Sequence, residues 1–277
     1  MAEPGSAREW ALALYGRSVL KQRKLSELSR ALGPTAGLRC LDLGSDNGVV
    51  SLLLRERGGS WASADLTAQA VESIRSLVGS DVHLVDASRL PFRDAEFDRV
   101  AVVDMLEHAP DEAAFARELA RVTKPGGRLV VNTPHLKHTL LKRVRHAIGQ
   151  TDEKHGHLRP GYTRQRLHEL LSPAFELESD RTYSRFFSEA VDTGLNWGVE
   201  RLGKASSAKG MVVTADDLSR HRKAFRSYSR IYPFVWAVSR LDALVPASTA
   251  SEKKREYVRS LSSSKAGDSS SCSRSRV

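Results

Sequence analysis

Apolar positions along this chain come in short blocks of two kinds. Six blocks have the length and composition of strands: "RCLDLGS" (39–45), "WASADL" (61–66), "DVHLVDA" (81–87), "FDRVAVVDML" (97–106), "GRLVVNTP" (127–134) and "FELESD" (175–180). Around 40–43, 100–103 and 129–131 the apolar run is almost unbroken, which suits strands covered on both faces of a parallel sheet. Between the blocks the apolar spacing changes to that of helices. "GVVSLLLRER" and "TAQAVESIRSLV" follow the first two strands, and "TRQRLHELL" precedes the sixth. "DEAAFARELARV" follows the fourth, with Asp111 as N-cap and Phe115, Leu119 and Val122 on one face. Residues 7–32 are expected to form an N-terminal helical region. Strand and helix alternating through short loops predict an α/β fold with a doubly wound, mostly parallel sheet.

The alternation fails after Asp180. Residues 186–204 have a helical pattern, and 216–244 a basic helical one with clustered aromatics, interrupted at Pro233. From about Ser262 the chain is serine-rich and expected to be disordered. The expected organisation is therefore an N-terminal helical region (1–36), a sheet domain (37–182), a basic aromatic helical region (183–247) and a tail (248–277). No seventh strand has a clear sequence: "GMVVT" (210–214) is short, and nothing after 246 alternates well.

Composition narrows the function classes. The 277 residues suffice for one full core with additions. Two cysteines, Cys40 in an apolar run and Cys272 in the tail, supply neither a disulfide framework nor a metal spacing. The start lacks the apolar core of a signal peptide, no stretch reaches the length of a membrane span, and a reducing cytoplasm is the expected setting. The net charge of +10 is lopsided. Residues 1–134 carry 17 basic and 18 acidic side chains, and residues 135–277 carry 26 and 15. An anionic partner for the second half and a merely solvated basic surface both account for this.

Chemistry is expected where the strands end, because ligands of open α/β sheets bind at their carboxyl ends. The first such end reads "CLDLGSDNG" (40–48). Gly44 and Gly48 permit a tight turn, positive φ and close approach of backbone to a ligand. Asp65 closes the second strand, where a carboxylate can accept both hydroxyls of a ribose. Asp86 closes the third and can meet the exocyclic amine of adenine, with Ala87 offering its amide. Asp42 can face an ammonium group. Together these residues ask for an adenine nucleoside with a cationic amino-acid end and no pyrophosphate. A dinucleotide site is the rival, but it needs a middle glycine where this loop has Asp46. At ~4 Å and an effective dielectric near 20, two like charges repel by about 4 kcal/mol, enough to disfavour a phosphate there.

The sequence resembles class I S-adenosylmethionine-dependent methyltransferases, in particular the type-11 group that includes quinone-biosynthesis methyltransferases. "LDLGSDNG", "SADLT", "VDASRLPFRDAEFDRV", "VDMLEHAPD" and "RVTKPGGRLVVNTP" carry the resemblance in order, over roughly residues 38–180. It implies the Rossmann-like methyltransferase fold and S-adenosylmethionine as cofactor. Gly44 and Gly48 would line the methionine part, Asp42 its amino group, Asp65 the ribose, and Asp86 with Ala87 the adenine. Asp104 and Met105 would close the pocket. The chain departs from the group at Asp46, where a small residue or glycine is common. That acid is expected to cap the following helix, with the cofactor's ammonium or sulfonium as the alternative.

An oxygen nucleophile needs a base of near-neutral pKa, and histidine is the usual one. Candidates are His108 after the fourth strand, His135 after the fifth, and His155 and His157 in "TDEKHGHLRPGYT" (151–163). That segment is too polar for core and reads either as a lid over the site or as a loop tied down by Asp152, His155 and Arg159. His157 and Arg159 also resemble a histidine-x-arginine pair of the group. No metal site is expected, since His155 and His157 lack further ligands. In 223–245, Phe225, Tyr228, Tyr232, Phe234 and Trp236 lie among Lys223, Arg226, Arg230 and Arg240. This mixture suits packing on the sheet domain, the headgroup layer of an anionic membrane, or, less well, nucleic acid; "LLKRVRHAI" (140–148) is a second basic amphipathic stretch. The expected activity is methyl transfer to a small or lipid-linked acceptor, at the membrane surface if the basic half docks there. The alternatives are a non-catalytic binding protein of the same fold and an RNA methyltransferase.

Overall fold

The computed structural model describes residues 6–134, 158–159, 161–182, 232–233, 236–237 and 257–263. Helices α1 (Ala7–Tyr15) and α2 (Val19–Leu32) lead into β1 (Arg39–Leu43), α3 (Val49–Arg55), β2 (Ser60–Asp65), α4 (Ala68–Val78), β3 (Val82–Leu84) and β4 (Phe97–Val103). A 3-10 turn at Leu106–His108 precedes α5 (Glu112–Val122) and β5 (Thr123–Thr133). The helix Arg164–Leu171, here α6, then leads into β6 (Phe175–Thr182). Ser18, Thr67, Asp111 and Thr163 cap α2, α4, α5 and α6 through their side-chain oxygens. Asp111 thus has the role its position predicts.

The sheet order is β3-β2-β1-β4-β5-β7-β6. The neighbours β3, β2, β1, β4 and β5 are parallel, and the strand order reverses beside β1, which pairs with both β2 and β4. The seventh strand lies inside the segment expected to be a disordered tail. It is β7 (Tyr257–Ser263), antiparallel to β5 on one side and β6 on the other. The sheet domain therefore extends beyond 37–182 to recruit a strand from 257–263. Side-chain alternation does not mark it, because a strand inserted between two others gains both ladders of backbone hydrogen bonds, whatever its side chains.

Alternate residues of each central strand enter opposite cores. Leu41, Leu43, Val100, Val102, Leu129 and Val131 pack with Phe115, Leu119 and Val122 of α5 and with Leu167 and Leu171 of α6. Cys40, Ala101, Val103 and Val130 face the other way, toward Leu28 and Leu32 of α2 and Val49 and Leu54 of α3. Burial pushes the Cys40 thiol up to about 12, as expected of an inert core cysteine. Three strands are shorter than their sequence pattern. β1 ends at Leu43, where Gly44 turns the chain at φ 84. β3 keeps three residues of the expected seven, because as an edge strand it pairs only with Ser63–Asp65 of β2. β4 stops at Val103, where Asp104 turns the chain at φ 47.

Candidate functional site

The loop after β1 is built by its glycines, for a reason the sequence did not show. Gly44 has φ 84, and its amide donates to the Ala64 carbonyl at 3.0 Å. A Cβ on Gly44 would lie 2.3 Å from the Val103 carbonyl oxygen and 2.7 Å from the Met105 Cβ. Gly48 has φ 79, and a Cβ there would lie 2.7 Å from the Ile74 Cα in α4. The space is taken by this chain's own backbone and not held for a ligand. The two glycines let the loop sit hard against the end of β4 and against α4.

Asp42 lies beneath this loop and has no exposed surface. Its Oδ2 accepts from Ser45 Oγ at 2.8 Å and Ser51 Oγ at 2.6 Å, and its Oδ1 accepts from Ser63 Oγ at 2.8 Å. Ser63 Oγ in turn accepts from the Arg55 guanidinium at 3.0 Å. Burial pushes the Asp42 carboxyl up, opposed by the three hydroxyls and the nearby Arg55 charge. The expectation that Asp42 faces a ligand's ammonium is thereby corrected. A wholly buried carboxylate supports the loop from below by joining it to α3 and β2.

Asp65, at the end of β2, is 9% exposed. Its Oδ1 accepts from the Leu66 amide at 2.8 Å and the Thr67 amide at 3.4 Å, and its Oδ2 from the Asp46 amide at 3.3 Å. Burial raises its pKa to about 6, with repulsion from Asp46 adding to the rise and the three amides opposing it. Asp46 itself stands at φ 52, a left-handed conformation that suits the glycine usual there and that aspartate tolerates better than most residues. It does not cap α3. The N-cap is Gly48, without a side-chain bond, and the Val49 amide is met by Asn47 Oδ1 at 3.3 Å. The cap expected of Asp46 fails because the turn carries it two residues ahead of the N-cap position and commits its amide to Asp65.

Asp86 is exposed after β3, and its Oδ1 accepts from the Ser88 amide and hydroxyl, each at 2.8 Å, and from the Arg89 amide at 3.2 Å. These bonds hold its carboxyl below the usual range. Ala87 follows at φ 64. Asp104 ends β4 and accepts at Oδ1 from Asn132 Nδ2 at 2.6 Å, while its Oδ2 pairs with Lys24 of α2. Met105 is buried against Gly44. Left-handed non-glycine residues thus follow β1, β3 and β4 in turn, at Asp46, Ala87 and Asp104, the ends where a ligand of this sheet is expected. Lys24 and Asn132 were absent from the sequence reading. Asn132 could have been flagged by its place at the end of a parallel strand; Lys24 is 80 positions from its partner and gave no signal.

Of the histidine candidates, His135, His155 and His157 lie outside the described residues. His108 lies on the 3-10 turn after β4, half-buried, its amide donating to the Met105 carbonyl at 3.0 Å. The preceding Glu107 is wholly buried, with Thr133 Oγ1 at 3.4 Å. Arg159 donates to the carbonyls of Ala109 and, at 2.9 Å, Pro110, and reaches Glu112 at 3.4 Å. Of the two readings of its segment, the tie is the one Arg159 fulfils. Tyr162 departs from the polar character assigned to 151–163. It is in the core, its hydroxyl donating to the Leu106 carbonyl at 3.1 Å, because the one polar atom of the ring finds a buried acceptor. From the basic aromatic region, Tyr232 accepts at its hydroxyl from Gln22 Nε2 of α2 at 3.3 Å, and Trp236 is 44% exposed; apart from Pro233 and Ala237, its other residues lie outside the described ones.

Carboxylates thus stand at the end of β2 and just past the ends of β3 and β4, with a further acid, Asp46, at the first turn. Residues 41–131 match the family described as "Methyltransferase domain". The chain is 37% identical over 133 residues to a demethylmenaquinone methyltransferase of Mycolicibacterium paratuberculosis, covering 46% of this chain and 55% of that protein. It is 32% identical over 112 residues to a ubiquinone biosynthesis O-methyltransferase of Ralstonia nicotianae, covering 38% and 47%. It spans about half the length of these curated relatives. Among solved structures, the [4+2]-cyclase SpnF superposes with a TM-score of 0.58 at 17% identity, covering 88% of this chain and 82% of that one, which shows a shared fold. Over residues 41–131 the chain therefore carries a class I S-adenosylmethionine-dependent methyltransferase domain of the type-11 group.

Proposed function

We propose that this protein transfers a methyl group from S-adenosylmethionine to a small or lipid-linked acceptor of the kind met in quinone biosynthesis. The observation that carries the reading is Asp65, a nearly buried carboxylate fixed by three amides at the strand end where a ribose must be held. The two relatives above, a demethylmenaquinone methyltransferase and a ubiquinone biosynthesis O-methyltransferase, support the acceptor class. Bound, the cofactor supplies a methyl group activated by a sulfonium leaving group. The chain's part is then alignment and exclusion of water. Asp65 accepts the ribose hydroxyls, and Asp86 and Ala87 flank the adenine. Asp104, held by Lys24 and Asn132, and Met105 bound the cofactor's place on the β4 side. His108, His135, His155 and His157 are the candidates for accepting a proton from the nucleophile.

Isothermal titration with S-adenosylmethionine and S-adenosylhomocysteine tests the first link. We expect saturable binding; none at millimolar ligand overturns the proposal. Incubation with methyl-labelled cofactor and a lipid extract tests the acceptor. Label is expected in the organic phase, and label confined to water-soluble products excludes a lipid-linked acceptor.

A non-catalytic protein of the same fold is the second reading. Two features favoured it at the level of sequence, Asp46 and the lack of a seventh strand. β7 removes the second, and Asp46 alone remains.

A further inference from the structure

Asp46 occupies the turn at the glycine-usual position, in a left-handed conformation, and its amide reaches across to the carboxylate at the tip of the neighbouring strand. Among the described residues that carboxylate receives backbone amides only: Leu66 and Thr67 from the start of α4, and Asp46 from the β1 loop. The other charged groups around it are accounted for. Asp42 of β1 is buried among its serines, and Arg55 of α3 is engaged by Ser63 and by the carbonyls of Trp61 and Ser80. Asp86, beyond β3, is bound by Ser88 and Arg89, and the Val85 amide meets the Asp65 carbonyl rather than its carboxylate. Asp46 is a side-chain charge of like sign beside the Asp65 carboxylate, and it opposes ionisation there.

We propose that Asp46 is a positioning residue whose negative charge makes cofactor uptake through Asp65 sensitive to acid. The inference rests on the proposed function, in which Asp65 accepts the ribose hydroxyls. An ionised carboxylate accepts both of them; a protonated one must give a proton to one oxygen and accepts less well. Asp46 makes the ionised form harder to reach, so the site loses affinity at a milder acidity than its geometry alone would set. The same turn performs opposite services, its amide holding the Asp65 carboxylate in place while its side chain opposes the charge.

The test is titration of the full chain with S-adenosylhomocysteine between pH 5.5 and 8.5, for the native protein, Asp46→Asn and Asp46→Gly. Both replacements tolerate the left-handed turn. In the native protein affinity is expected to fall several-fold between pH 7.5 and 5.5. In both variants the fall should move by about one pH unit toward acid, raising affinity at pH 5.5 several-fold. Asp65→Asn should remove the dependence in this range. Variant profiles that overlay the native one overturn the inference, because the charge then does nothing to Asp65. A loss of affinity at every pH also overturns it, by showing that Asp46 contacts the cofactor's cation directly. Native protein that binds at no pH defeats the proposed function as well, and so is told apart from a failure of Asp46 alone.

Discussion

At the scale of single residues, Gly44 and Asp65 make opposite demands. A methyl group on Gly44 meets the Val103 carbonyl at 2.3 Å in a conformation already closed to side chains. We expect Gly44→Ala to cost more than about 3 kcal/mol, read as a lowered urea midpoint, and to remove cofactor binding with it. Asp65 works the other way. Its folded pKa of about 6 lies above the ordinary 3.8, so between these values the folded state holds the proton more tightly than the unfolded one. The contribution of this group to stability is greatest below about pH 4, falls as pH rises through about 4 to 6, and is lowest above. Its ionised form therefore costs up to about 3 kcal/mol at neutral pH. We expect Asp65→Asn to stabilise the unliganded protein at pH 7.5 by about 1–2 kcal/mol, with little gain at pH 4, while weakening cofactor binding by about 1–3 kcal/mol. Urea unfolding at the two pH values and calorimetry check both arms. The carboxylate is maintained against folding stability, as groups at binding sites often are.

At the scale of elements, the site depends on where strands stop and helices begin. Thr67 caps α4, accepting from the Ala70 amide at 3.2 Å, and its own amide meets Asp65. Thr67→Ala should cost about 1 kcal/mol in urea unfolding and leave the carboxylate's amides in place. Further along the sheet, β7 joins β5 to β6 through pairings at both of its edges. A chain ended before Tyr257 would leave both neighbours with open edges. We expect it to associate or unfold, seen as a shift in size-exclusion volume and a loss of the cooperative transition. A chain ended after Ser263 should behave as the full protein does.

Across the whole molecule, two cores share one sheet, and α2 ties the N-terminal helices to the site through Lys24 and Asp104. The same helix meets Tyr232 from the basic second half. Among the described residues no helix is long and apolar enough to cross a bilayer. With the proposed acceptor, the full chain should sediment with vesicles containing phosphatidylglycerol and not with phosphatidylcholine alone. About 0.5 M salt should release it, since screening at that strength shortens the reach of the basic charges to a few ångströms. Equal binding to both vesicles, or none, removes the membrane from the proposal.

What the sequence determined by itself is whatever periodicity and strand-end position carry. The five parallel strands, the helices between them and the Asp111 cap were legible, because burial on one or both faces of an element leaves a local pattern. Asp65, the last residue of β2, was legible for the same reason; Asp86 and Asp104 lie two residues and one residue past the ends of β3 and β4, which the apolar pattern ran beyond. Tertiary structure alone decided how each carboxylate is held. Asp42 and Asp65 look alike along the chain, yet three serines from three different segments bury the first, and backbone amides hold the second at the end of β2. It also decided why Gly44 must be glycine, that β7 comes from the serine-rich end, and that Lys24 meets Asp104. Each of these is a contact between residues distant in sequence, fixed by packing and by hydrogen bonds that no local pattern records.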